Sequence, residues 1–340
     1  MEKSSKKNSE QVIFFDKIKK VLPSNQVLVN EVSELLNIGY DAAYRRIRGA
    51  KLLDFDETLK LSRHYGISLD LVTNVTQKNQ LICTYLPMDR NPENYLSFIN
   101  SVLKISEKTS ISNNSEIIMS CVDIPIFNFL EYEALTNFKI FSWAKSVYGF
   151  EGKYQEFISR LEPYNFGEIH KKIVTNYHNT PSSDIWTFNT TDTMIRLISY
   201  HHQMKHFEDE RFPLFLCEQL LDFVNKIQEW TEKGAKGPNG VPYKFYVSEI
   251  DTGNTIILFK LDGNDTCLVR LFTFNGLNVS DERLCLEAEN WLYNLTQRAI
   301  LISGASEIER FKFFTGQRQK IEFLIEKLKA DIEGLSYFNI

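Results

Sequence analysis

VSELLNIGYDAAYRRIRG, residues 32–49, is the stretch on which the reading of this 340-residue chain turns. Val32, Leu35 and Leu36 recur at helical spacing, and Asn37-Ile38-Gly39 follows as a short turn. A second helix is expected over Tyr40–Arg48, stopped by Gly49 in the left-handed position that ends many helices. At about 100° per residue, Ala43 and Ile47 share one side of that helix, and Asp41, Tyr44, Arg45 and Arg48 share the other. The apolar side can pack on Val32, Leu35, Leu36 and Ile38, which props the polar side outward.

Working outward, Val12, Phe14, Phe15, Ile18, Val21 and Leu22 give a helix over Glu10–Leu22, ended by Pro23-Ser24-Asn25. The helix before the turn spans Asn30–Leu36. Asp54 with Glu57 forms a capping box for a fourth helix that runs to Gly66, and Ser68 caps a fifth over Leu69–Val75. Residues 9–76 thus read as an all-α five-helix domain, and residues 77–92, with Pro87 and Pro92, as a linker. Residues 93–235 are mainly helical, with segments near 93–109, 131–148, 151–161, 190–207 and 212–232. In residues 236–340 the period changes. Tyr243–Ile250, Thr255–Leu261 and Thr266–Phe274 are strand-like and predict a three-stranded antiparallel meander. A helix over Asp281–Ile302 follows. A last helical run to Ile332 opens on a Ser306–Glu309 capping box, with Gly316 as a point of breakage. The fold class expected is mainly α with a small antiparallel β meander, residues 93–340 forming one α+β body.

Residues 1–78 hold thirteen basic against ten acidic side chains, a surplus of three, so the net charge of −5 leaves residues 79–340 at −8. A basic head on an acidic body suits a protein whose head alone meets phosphates. The five cysteines form no CxxC pair and suggest neither zinc nor disulfides. No apolar run approaches the length of a membrane span, and MEKSSKKNSE lacks the apolar stretch of a secretory signal, so a cytoplasmic location is expected. His202 and His206 stand four apart near Glu208, Asp209 and Glu210, but without a third spaced ligand they read as a solvated helix end rather than a metal site. GxGxxG, GxxxxGK[ST] and GxSxG are all missing, so neither an enzyme nor a cofactor is expected.

A helix held with its polar face outward fits the major groove of duplex DNA. Arg45 and Arg48 are the candidates for base edges, because a guanidinium fork matches two acceptors of guanine. Tyr44 suits a sugar or a thymine methyl, Arg46 and Lys51 suit phosphates, and Tyr40 and Asp41 complete the DNA-binding set. VNEVSELLNIGYDAAYRRIRGAKLLDFDETLKLSRHYGISLDLV, residues 29–72, resembles the Cro/CI-type (XRE-like) helix-turn-helix domain, with Asn37 where that family has its turn glycine. The remainder, including residues 121–145 and 301–314, is similar to uncharacterised helix-turn-helix regulators of Bacteroidetes-type bacteria. The resemblance implies a sequence-specific transcription regulator with a C-terminal module of its own. One such helix reads few base pairs, so a homodimer is expected. The body would oligomerise or sense a small-molecule effector of unknown identity. Its aromatic run, Ile126 to Trp143, and its last helix, Phe311 to Leu328, read as core first and dimer interface second. The alternatives are a protein–protein interaction module and, further off, an enzyme with a DNA-targeting head.

Overall fold

Apolar residues three and four apart wind the N-terminal unit, Met1–Ile82, into α1 (Glu10–Val21), α2 (Leu28–Leu36), α3 (Tyr40–Ile47) and α4 (Phe55–Tyr65). The structure is a computed structural model that describes residues 9–22, 26–69, 72, 81–86, 88, 92–112, 114–271 and 274–334. Phe14, Phe15, Ile18, Val29, Val32, Ala43, Leu61, Ile67 and Val72 form the buried core of this unit, with Leu35, Leu36, Ile38 and Ile47 packed against it. The stop between α2 and α3 falls on Asn37 (φ +53°), whereas Gly39 keeps φ −65° as the residue before α3. Asparagine tolerates the left-handed conformation, so no glycine is needed there. The Ile38 N–H donates to the Ser33 carbonyl (3.0 Å), and Ser33 Oγ donates to the Ile38 carbonyl (2.6 Å). The same device ends α4, with Ser62, Gly66 (φ +64°) and Ile67 in the matching places. The helix expected over 69–75 lies, apart from Leu69 and Val72, outside the described residues.

The C-terminal unit, Cys83–Ile340, is mixed α/β. β1 (Thr84–Leu86) and α5 (Pro92–Ile111) lead into β2 (Ser115–Cys121). From there α6 (Ile126–Phe129), α7 (Glu133–Tyr148), α8 (Tyr154–Leu161) and α9 (Phe166–His178) cross to β3 (Ser182–Trp186). α10 (Asp192–Gln203) and α11 (Phe212–Lys233) then reach β4 (Ala235–Lys236) and β5 (Val241–Val247). β6 (Ile256–Leu261), β7 (Thr266–Arg270) and β8 (Gly276–Val279) precede α12 (Glu282–Thr296), β9 (Ile300–Leu301) and α13 (Glu307–Ile332). The strands form one mixed sheet in the order β1-β8-β7-β6-β2-β3-β5-β4, with β9 also on β5. β2, β3 and β5 are parallel neighbours, and parallel neighbours need long crossovers, which the helices supply.

This corrects the expected architecture in several places. Thr84–Leu86, read as linker, is a strand on β8. Tyr243–Ile250 does not pair with Thr255–Leu261, because β2 and β3 lie between β5 and β6; the antiparallel meander is β6-β7-β8. β2 and β3 escape a hydrophobic pattern because every residue of Ser182-Ser183-Asp184-Ile185-Trp186 is buried, the polar ones included. α12 stops at Thr296, and Ile300–Leu301 joins the sheet instead of extending the helix. Ser306 sits at φ +57° without a side-chain cap, and α13 runs through Gly316 unbroken.

Strand side chains alternate between two faces. Ile185, Leu258 and Cys267 pack under Cys285, Ala288, Leu292 and Leu295 of α12. Their neighbours Trp186, Ile257, Phe259 and Leu268 belong to the large core on the other face, where Phe127, Phe129, Phe138, Phe141 and Trp143 are also buried. The aromatic run is therefore core.

Asp184 sits at the centre of β3 with no exposure. It accepts from Tyr243 Oη (3.0 Å) and Tyr177 Oη (3.3 Å). Lys236 Nζ donates to Ser182 Oγ (2.6 Å) and lies 3.2 Å from the centre of the Tyr177 ring. Burial pushes the Asp184 carboxyl up to about 6 and pulls the Lys236 ammonium well down. Asp184→Ala removes the acceptor of two tyrosyl hydroxyls and the counter-charge of Lys236. The expected loss is about 3–5 kcal/mol, read as a lower urea midpoint of tryptophan emission; an unchanged midpoint would contradict it.

Candidate nucleic-acid interface

α3 meets its scaffold through Ala43, which is fully buried, and through Ile47, packed against the core. That contact sets the rotation of the helix. Tyr40, Asp41, Tyr44, Arg45 and Arg48 are exposed along it, and Lys51 is exposed just beyond it. Tyr40 is 57% and Tyr44 46% exposed. The Arg48 guanidinium lies 5.5 Å from the centre of the Tyr44 ring. This cation–π contact holds the arginine near the face it shares with Arg45. Beside α3 runs a groove lined by Phe15, Asp16, Lys19, Val27, Tyr40 and Tyr44.

Arg46 departs from expectation. Read as a phosphate contact, it is only 5% exposed and faces α4. Its Nε donates to Glu57 Oε2 (2.9 Å) and its Nη2 to Glu57 Oε1 (2.6 Å), a two-pronged pair, while Nη1 reaches the Ala42 carbonyl (3.3 Å). The Arg46 bond holds the Glu57 carboxyl below its usual range, and the same bond raises Arg46. Glu57 has a second task. Its Oε2 also accepts the Asp54 N–H (3.2 Å), and Asp54 Oδ1 accepts the Glu57 N–H (2.7 Å), which completes the capping box of α4. One carboxylate thus starts α4 and ties it to α3. Arg46 is structural, and the exposed set is the remaining six residues.

A residue that sequence reasoning missed braces the end of α3. Gln11 of α1 donates through Nε2 to the carbonyls of Arg46 (2.7 Å) and Lys51 (2.8 Å), and its Oε1 accepts the Leu53 N–H (2.9 Å). These bonds fix the loop that carries Lys51. Gly49 is required in this loop: it has φ +70°, and a Cβ there would meet Val12 Cγ2 at 3.4 Å.

The two histidines weighed as metal ligands are not brought together. His202 Nε2 lies 3.6 Å from Asp331, whereas His206 Nδ1 is 2.9 Å from His201 Nδ1. His201 Nε2 in turn bonds Ser142 Oγ (2.9 Å), and burial pulls His201 down to about 4. Among the described residues no group of three or more His, Cys, Asp or Glu side chains converges as a metal set, and no helix is long and apolar enough to cross a membrane.

Comparison with protein-family models, curated proteins and solved structures returned no match.

All four tryptophans, Trp143, Trp186, Trp230 and Trp291, lie in the C-terminal unit, so the two units can be followed separately. Arg46→Ala strands Glu57 and is expected to cost the N-terminal unit about 3–5 kcal/mol. Arg46→Lys loses the fork and should recover only part of it. In urea the variants should lose part of their helical circular dichroism early, with tryptophan emission unmoved. Coincident, wild-type transitions in both signals would contradict the assignment.

Proposed function

We propose that the chain is a sequence-specific, double-stranded-DNA-binding regulator of transcription, whose N-terminal unit is of the Cro/CI helix-turn-helix type. α3 is the helix that enters the major groove. The observation that carries this reading is the rotation of α3: Ala43 and Arg46 face inward, and Tyr44, Arg45 and Arg48 face out together. Arg45 and Arg48 read base edges, the guanidinium fork being matched to guanine O6 and N7. Asp41 accepts from a cytosine amino group, and Tyr40 and Tyr44 pack on sugar or a thymine methyl. Lys51, on the Gln11-braced loop, meets phosphate. One helix reads too few base pairs for useful affinity, so a second copy binds the other half of a two-fold site.

A second reading rests on Leu52 (75% exposed) and Phe55 (72% exposed), an apolar pair beside the loop that phosphate contact does not use. It makes this surface a docking site for a protein partner. Capture of one partner and of no duplex, abolished by Phe55→Ser, would favour it.

Selection of bound sequences from random duplex with the full chain tests the first reading. A two-fold consensus is expected. Arg45→Ala and Arg48→Ala should each relax it at defined positions, by about 1–3 kcal/mol of discrimination. Lys51→Ala should weaken all duplexes alike and lower the salt slope by about one. Equal losses on every duplex for all three variants would reject this division of roles.

A further inference from the structure

The C-terminal unit holds a pocket that the DNA reading does not use. It lies beyond the carboxyl end of β2, where the parallel half of the sheet meets the antiparallel half. The pocket opens to solvent: about 490 Å³ of empty space is found when the solvent at its mouth is included, of which about 40 Å³ can hold the centre of a water molecule, and Phe98, Ile126, Phe129, Ile257, Leu268 and Phe274 supply its apolar wall.

Two cations stand in that wall, Lys139 and Arg270. Both depend on one carboxylate. Lys139 Nζ is 2.6 Å and Arg270 Nη1 3.4 Å from the same oxygen of Asp123. The other Asp123 oxygen accepts the Ile124 N–H (2.7 Å). Asp123 is nearly buried and Lys139 is 2% exposed. Burial and the neighbouring Arg270 pull the Lys139 ammonium down while Asp123 pulls it up, and Arg270 is the partly exposed member of the cluster. Among the described residues Asp123 is the one ion-pair partner of the Arg270 guanidinium, and at 3.4 Å it engages a single nitrogen. A guanidinium has five donors, so most of this one's capacity is unused. A guanidinium engaged by one long contact beside an apolar wall favours an anion that can take its remaining donors.

We propose that this pocket binds a small molecule with a carboxylate head and an apolar body, the head on Arg270 and the body between Phe98, Phe129 and Phe274. A neutral apolar molecule leaves those donors unused, and an amine adds positive charge. The proposal stands independently of what the N-terminal unit binds.

Trp143 reports on the site, since its ring lies 5.8 Å from that of Phe274. The experiment titrates the full chain, without DNA, with octanoate and with 3-phenylpropanoate, and follows tryptophan emission and heat of binding. Octylamine and octanol serve as controls. At least one acid should bind saturably, both controls at least about tenfold more weakly, and Arg270→Gln should weaken the acid at least about tenfold. Arg270→Lys should restore part of the affinity. Ile126→Trp, which fills the pocket without touching a charge, should abolish binding, and it decides the matter if Arg270→Gln does not fold. Absence of binding at millimolar acid, equal affinity for octylamine, or wild-type affinity in folded Arg270→Gln or Ile126→Trp would overturn the proposal.

Discussion

The ion pair of buried Arg46 with half-buried Glu57 is the constraint on which the N-terminal unit depends. Taking a guanidinium and a carboxylate out of water is expensive, and only a geometry that answers several donors at once offsets the cost. Here both prongs of the fork are engaged, a third donor reaches a backbone carbonyl, and the carboxylate closes the capping box of α4. The consequence for α3 is rotational. With Arg46 turned in beside Ala43, its neighbours Arg45 and Tyr44 turn out, and Arg48 joins them about one turn later. A difference of about 3–5 kcal/mol for such a pair is a large share of the stability of a small domain. The outward face of α3 is thus set by a side chain that does not belong to it.

The C-terminal unit applies the same chemistry at larger scale. Its interior strand β3 carries Asp184 where an aliphatic residue is usual, and two tyrosines and a lysine converge there. Asp123 is the second buried carboxylate with cations around it, but the balance differs: Lys139 and Arg270 outnumber it, and apolar walls surround them. The first cluster closes on itself among tyrosyl and seryl hydroxyls. The second leaves donors of Arg270 over.

Much of the N-terminal unit was legible because its signals are local. Helical spacing located α1 to α4, Asp54 and Glu57 announced their cap three residues apart, and Ala43 marked the inner side of α3. The exposed face was legible for the same reason. Arg46 was not, because its fate is decided by Glu57 eleven residues away, and an arginine among arginines carries no sign of a partner. Gln11 was hidden likewise, its bonds reaching 35 and 40 residues along the chain. In the C-terminal unit most helices and the strands β5, β6 and β7 were legible, whereas α9, β2, β3 and the pairing of the sheet were not. β2 and β3 are joined by pairings across more than sixty residues, and their buried serines and aspartate conceal the alternation that reveals a strand. Charge in the pocket comes from three elements far apart in sequence, and only folding brings Asp123, Lys139 and Arg270 together.

The central claim is that the outward face of α3 is the surface that meets DNA. Hydroxyl-radical footprinting of the full chain, with and without random-sequence duplex at low salt, tests it directly. Tyr40 and Tyr44 are exposed reporters on that face, and Tyr200 (47% exposed) and Tyr293 (62% exposed) are controls in the other unit. The expected result is that duplex shields Tyr40 and Tyr44 from oxidation while Tyr200 and Tyr293 react as before. Undiminished oxidation of Tyr40 and Tyr44 at saturating duplex would contradict it.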